Sequence, residues 1–253
     1  MYAAAFGDGN LTGVAAHYWN GNLVLQAPEH PAQLAAAALR YSGRKLEGIL
    51  GPWPQVRAAR NALGAHGSPT RMDSEEILYA LDLAALRVPA QLEDGHFVCR
   101  RATKEDFPRL LELSMQENRE VFGDPDTPEQ RRRTQEALER WHRESVLFVL
   151  EEHGDIVATS LFHGRVHGAV QVGGVYTVPQ RRGEGCARCV VAGSLLLARS
   201  EGMTTASLFT GVDNRPAQRA YESIGFRRAG DYGIVLFKEP VHCSPSSHSS
   251  PSK

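Results

Sequence analysis

The residues whose types and spacing point most directly to chemistry lie in one stretch, Val175-Tyr176-Thr177-Val178-Pro179-Gln180-Arg181-Arg182-Gly183-Glu184-Gly185-Cys186-Ala187. An apolar, strand-like run passes through a glycine-containing turn into a helix-like one. Such a junction suits an anion. The first-turn N–H groups of a helix have no intrahelical acceptor, and the macrodipole places roughly half a positive charge at that end. Gly183 and Gly185 remove the Cβ atoms that would stand between backbone and ligand, while Arg181 and Arg182 add mobile positive charge. Two phosphate motifs are excluded. A Walker loop ends in Gly-Lys-Ser/Thr, where this segment has Gly-Cys-Ala, and the dinucleotide fingerprint needs a third glycine where Arg188 stands.

Other groupings carry less. Cys186-Ala-Arg-Cys189 has redox spacing but lacks the second cysteine pair a zinc site requires, so these residues read as small helix-face side chains and no metal is expected. His163-Gly-Arg-Val-His167 has helical ligand spacing across a predicted hairpin turn, which breaks that geometry. Arg131-Arg132-Arg133 reads as a solvated helix face balanced by Glu129, Glu136 and Glu139.

The elements that must position the glycine turn follow a repeated order. In the second copy, Asp155 to His163 and Ala169 to Val178 form a hairpin. Gly183 to Ser200 reads as a helix ending near Gly202, Thr204 to Thr210 as a strand, a helix starts at Asn214-Arg215-Pro216 and ends at Gly225, and Tyr232 to Lys238 closes the copy. The first copy runs in the same order: strands Leu11 to Tyr18 and Leu23 to Ala27, helix Pro31 to Tyr41, strand Lys45 to Leu50, a helix to Leu63, and a last strand Ile77 to Leu83, with helix an open alternative over Glu75 to Leu86. Between them a new domain opens with strand Phe97 to Arg101, helix Lys104 to Asn118 behind a Thr103 cap, a helix from Pro128 to Arg143, and strand Val146 to Glu151. The expected organisation is therefore α/β (α+β), with two related units, each a central mixed, mostly antiparallel sheet flanked by helices. The expected domains are 1–94, 95–240 and a disordered tail, 241–253; the serine- and proline-rich, aperiodic composition begins at Glu239.

Composition narrows the partners. With 253 residues, 42% apolar and 23% charged, the chain suits one large domain or two. A net charge of −1 supplies no field for a polyanion, so no nucleic-acid partner is expected. The longest nearly apolar run, Cys189 to Ala198, is about half the roughly 20 residues that span a bilayer, so no membrane partner is expected. The start, MYAAAFGDGN, lacks a basic region before its apolar residues, and four cysteines are few, so a cytoplasmic location with reduced thiols is expected.

Gln180-Arg181-Arg182-Gly183-Glu184-Gly185 resembles the Gln/Arg-x-x-Gly-x-Gly/Ala signature of the GNAT superfamily of N-acetyltransferases. Asp213-Asn214-Arg215-Pro216-Ala217 followed by Ala220-Tyr221-Glu222-Ser223-Ile224-Gly225-Phe226 resembles its Asn-x-x-Ala…Tyr-x-x-x-Gly-Phe segment. The resemblance covers about residues 96–240. It implies acetyl-CoA as cosubstrate and no metal. The pyrophosphate would sit on the backbone amides from Arg181 through Arg182, Gly183 and Glu184 to Gly185 and the pantetheine along Val175, Tyr176, Thr177 and Val178, with Gln180, Cys186, Asn214, Ala217 and Tyr221 completing the cofactor contacts. It further implies attack of an amine on the thioester, an N–H near Tyr176 stabilising the oxyanion, and Tyr221 meeting the departing sulfur. Some members take the amine proton with a glutamate on the strand before the turn, where this chain offers only Gln171 as a polar side chain. Glu117 and Glu120 are candidates for that base by position, with His142, His163 and His167 behind them. In the first copy the corresponding turn, Gln26-Ala27-Pro28-Glu29-His30-Pro31, has two prolines, a glutamate and no glycine, so that half should not bind CoA phosphate. The expected activity is N-acetyl transfer to a small-molecule or peptide amine by a monomer or homodimer. The alternative is a non-catalytic acyl-CoA-binding regulatory module; a protein-interaction scaffold would bind no CoA at all.

Overall fold

The computed structural model describes residues 1–242. In chain order the elements are β1 (Tyr2–Gly7), β2 (Asn10–His17), β3 (Asn22–Gln26), α1 (Pro31–Ser42), β4 (Leu46–Gly51), α2 (Trp53–Ala62), β5 (Thr70–Asp82), α3 (Ala90–Glu93), β6 (Val98–Arg101), α4 (Phe107–Phe122), α5 (Pro128–Arg143), β7 (Leu147–Glu152), β8 (Asp155–Val166), β9 (Ala169–Thr177), α6 (Cys186–Ser200), β10 (Thr205–Gly211), α7 (Arg215–Ser223) and β11 (Arg227–Val241). Single 3₁₀ turns occupy Leu83–Ala85, Lys104–Asp106 and Pro179–Arg181. The fold is the expected mixed, mostly antiparallel α/β type. Sequence periodicity missed β1 and the four-residue α3, both short, and placed the end of α4 too early; that helix continues to Gly123, whose φ of 69° provides a left-handed stop.

The described residues form two compact units, Met1–Ile77 with 230–242, and Leu78–Ala229. This differs from the division near residue 94 expected from the element order, because the boundary falls inside β5 and most of β11 belongs to the first unit. In the first unit β1, β2 and β3 pair antiparallel, β3 pairs parallel with β4, and β4 takes β11 as its antiparallel neighbour, with Ile234 opposite Leu50 and Leu236 opposite Gly48. The core shows the same membership: Val235 and Phe237 are buried with Leu23, Leu25, Leu34, Leu46 and Ile49. Glu239 to Val241, expected in the tail, extend β11; Val241 pairs with Leu46 and packs on this core. The rest of the predicted tail, from Cys243, lies outside the described residues.

In the second unit the sheet order is the last part of β5, then β10-β9-β8-β7-β6. The four strands from β6 to β9 pair antiparallel, and β9 pairs parallel with β10. Helix α6 links those last two strands and is apolar almost all round, with Cys189, Val190, Val191, Ala192, Leu195 and Ala198 buried, as a helix laid across a sheet must be. The parallel ladder pairs Thr205, Ala206 and Ser207 with Ala169, Val170 and Gln171 and stops there. Beyond it, among the described residues, β9 pairs only with β8, through a bulge at Gly174 (φ 51°), and the edge of Val172–Thr177 facing β10 is left open.

The contact between α6 and β6 permits no side chain at Gly193, where a Cβ would stand 2.3 Å from Cys99 Cβ. Alanine is the better helix former by about 1 kcal/mol, but overpacking costs about 1–3 kcal/mol, so Gly193→Ala should be net destabilising. A lower denaturant midpoint at unchanged slope is expected; an equal or higher midpoint would contradict this packing.

Candidate active site

A cleft of about 810 Å³ opens where β9 leaves β10. One wall is the end of β9 (Val175, Tyr176, Thr177), the floor is the glycine turn and first turn of α6, and the far wall is α7 with Asn214, Ala217 and Tyr221. Of the sequence-predicted cofactor residues, Arg181, Arg182, Gly183, Gly185 and Cys186 also line it; Val178, Gln180 and Glu184 do not.

The turn explains the difference. Pro179–Arg181 forms a 3₁₀ turn that uses the Arg181 and Arg182 amides internally, bonded to Val178 O at 2.9 Å and Pro179 O at 3.4 Å. Gly183 (φ 84°) and Gly185 (φ 90°) then turn the chain through left-handed conformations into α6. The amides lacking an intrahelical acceptor are therefore those of Cys186, Ala187 and Arg188, later in the chain than expected. A Cβ on Gly183 would touch nothing within 4 Å, so this glycine answers a backbone need and leaves the floor open.

The arginines are struts. Arg181 is gripped by both oxygens of Glu152 and by Glu184, while Arg182 reaches Glu120 at 2.6 Å, donates to Thr177 O at 3.2 Å and lies over the Tyr176 ring. The expectation of mobile charge at both positions is corrected by these ion pairs. Two arginines that sequence reasoning passed over also line the cleft: Arg188 in its floor, which donates to Gln91 at 3.0 Å and has a buried Nε with no hydrogen-bond partner among the described residues, and Arg219, exposed on α7 in the far wall. Helical spacing held the clue, since Arg188 lies in the first turn of α6 and Arg219 two residues before Tyr221.

Helix α7 is fixed at both ends. Asn214 Oδ1 accepts from the Ala217 amide at 3.3 Å as an N-cap, Gln218 Nε2 donates to Gly211 O and Val212 O at 2.9 Å, and Tyr79 OH donates to Glu222 at 2.9 Å. Tyr221, buried and edge-on to Phe226, is thereby held in the cleft wall.

Glu117 and Glu120 do not line the cleft, but α4 brings them beside Tyr176, and their environments differ. Arg182, followed by the Tyr176 hydroxyl at 3.0 Å, holds the Glu120 carboxyl below the usual range. Burial, then the neighbouring Glu120 charge, pushes Glu117 up to about 7. Tyr176 is pushed up to about 12, first by burial and then by its bond to Glu120, so its hydroxyl stays protonated. His142 is occupied elsewhere, bonded to Ala102 O at 3.1 Å and edge-on to Phe107, whereas His163 lies over Gly173, and His167 sits in the hairpin turn at φ 44°. Burial also pushes the Cys189 thiol up to about 11, against thiolate chemistry.

Residues 107–226 match the profile of the Acetyltransferase (GNAT) family. A mycothiol acetyltransferase from Streptomyces avermitilis is 31% identical over 207 residues, 78% of this chain and 63% of that protein. Another, from Thermobispora bispora, is 34% identical over 114 residues, 41% of this chain and 39% of its own length. The chain thus covers less than two thirds of each of these curated relatives. In fold it is similar to an acetyltransferase from the GNAT family of Colwellia psychrerythraea, at a TM-score of 0.55 and 17% identity over 94% of this chain and 85% of that one.

The raised Glu117 carboxyl has a consequence for stability. The folded state retains its proton above the ordinary value of 4.5, so its contribution is fully present below about 4.5 and is lost as the pH rises through about 7. Glu117→Gln should remove that part of the decline. Denaturation midpoints for both proteins between pH 4.5 and 8 check this; parallel pH profiles would count against a raised Glu117.

Proposed function

We propose that the chain transfers an acetyl group from acetyl-CoA to a primary amine by direct attack in a ternary complex, with the chemistry carried by residues of the expected 95–240 domain. The observation that carries this reading is the cleft itself: an open strand edge, a glycine turn leading to unpaired helix amides, and a buried tyrosine in one wall. These features fit the cosubstrate. The amides of Cys186–Arg188 suit a pyrophosphate, Arg188 and Arg219 add charge from the floor and the far wall, and the open edge of β9 offers N–H and C=O groups to an amide-bearing arm.

Acetyl-CoA supplies an electrophilic thioester. A free alkyl amine is largely protonated near neutrality, and Glu117, with its carboxyl near 7, is the group suited to accept that proton, directly or through water. Glu120 positions rather than reacts, since its charge is committed to Arg182 and Tyr176. A β9 amide near Tyr176 stabilises the oxyanion, and the Tyr221 hydroxyl donates to the sulfur as the thiolate leaves. The names of the relatives make a mycothiol-type amine the first acceptor to test. In the first unit, α1 begins at Pro31 behind His30, which makes no side-chain cap bond among the described residues, and the turn before it lacks glycine, which supports a role there other than CoA binding.

Calorimetry with CoA and thiol release across an amine panel test this reading. Binding with turnover is expected, and Tyr221→Phe should lower kcat by about a hundredfold while leaving CoA affinity nearly unchanged. Tight binding with no turnover on any amine would favour the regulatory module, and no binding would favour a scaffold; an unchanged Tyr221→Phe rate would remove this residue from the mechanism.

A further inference from the structure

The first unit holds its own cavity, of about 360 Å³, at the C-terminal end of α1. Its floor is apolar, formed by Ala36, Leu39 and Leu63, and Arg40, Arg44 and Lys45 also line it. Residues 31–45 contain no aspartate or glutamate, and among the described residues none of these three cations forms an ion pair, although Arg60 of the same unit pairs with Asp73 at 2.6 Å. Complementing a helix C-terminus does not account for the cluster. That end carries only about half a negative charge, and Leu39 O there already accepts from the Gly43 amide at 3.1 Å and the Ser42 hydroxyl at 2.9 Å. Arg40 is steadied by Tyr41, donating to its hydroxyl at 3.0 Å with the guanidinium 4.8 Å from the ring centre. Three like charges around one small apolar-floored hollow repel one another until an anion enters.

We infer that this cavity is a binding site for a small organic phosphate monoester, whose apolar body rests on Leu39 and Leu63 and whose phosphate meets Arg40, Arg44 and Lys45. The volume lies within the range of about 300–1,000 Å³ typical of small-molecule sites. A phosphate monoester, carrying about −1.5 to −2 charges near neutrality, answers three cations better than a carboxylate does. The site belongs to the first unit and is independent of the acetyl-transfer reading.

Phenyl phosphate is the probe, titrated into the full chain with the leucine methyl resonances as readout, so that binding in the cleft of the other unit is read separately. Saturable shifts at Leu39 and Leu63 are expected, weakening as salt rises. The double variant Arg44→Glu/Lys45→Glu should weaken binding at least tenfold, and benzoate should bind several-fold less tightly than phenyl phosphate. Silent Leu39 and Leu63 methyls, or shifts that survive the double variant at the same affinity, would overturn the site; equal affinity for benzoate would overturn its preference for a phosphate monoester.

Discussion

Two parallel strands that begin paired and then separate leave backbone groups without ladder partners, and the cleft of the second unit follows from that separation. β9 and β10 share three residue pairs, after which Gly174 bulges β9 and its edge faces open space rather than β10. Backbone N–H and C=O groups need partners. A ligand with amide groups can provide them, and the helix that crosses from one strand to the other starts at the mouth of the opening with its first-turn amides unpaired. Strand separation and helix start are thus two consequences of one connection, β9 through α6 to β10. The bulky interior of α6, pressed against the sheet as closely as Gly193 on Cys99 permits, keeps that connection rigid.

Around this backbone frame the charges are ordered by pairing. Arg181 and Arg182 look like anion ligands in a linear reading, yet each serves to brace the turn, one against β7 through Glu152 and the other against α4 through Glu120. The brace at Arg182 also separates two neighbouring carboxylates electrostatically. Glu120 is neutralised by a guanidinium and a phenol, while Glu117, half-buried beside that charge, resists ionisation. One helix end therefore carries two carboxyl groups of opposite tendency, the kind of division that assigns a structural role to one and proton transfer to the other.

The mixed sheet architecture and most element positions were legible because periodicity, caps and glycine stops act locally: Pro31 and Gly43 bound α1, Asn214 caps α7, and Thr103 closes a capping box with Asp106. The glycine turn was legible for the same reason, since a left-handed φ restricts residue type at its own position. Strand membership was not. β11 completes the ladder beside β4, and its Val235 and Phe237 enter a core built almost entirely from residues 15–65. No local pattern marks which of two available strand edges a terminal strand will take.

By itself, then, the sequence determined the glycine-bearing strand-to-helix junction, the Asn214 and Tyr221 segment, and the acidic pair at the end of α4, because each is a matter of residue type at fixed spacing. Tertiary structure decided which charges are available. It tied Arg181 and Arg182 to carboxylates 29 and 62 residues away, turned Arg188 and Arg219 toward the same cleft, and made Glu117 and Glu120 unlike. The physical reason is that ion pairing and desolvation depend on distances between atoms remote in the chain. Backbone conformation at a glycine, by contrast, depends on that residue and its immediate neighbours.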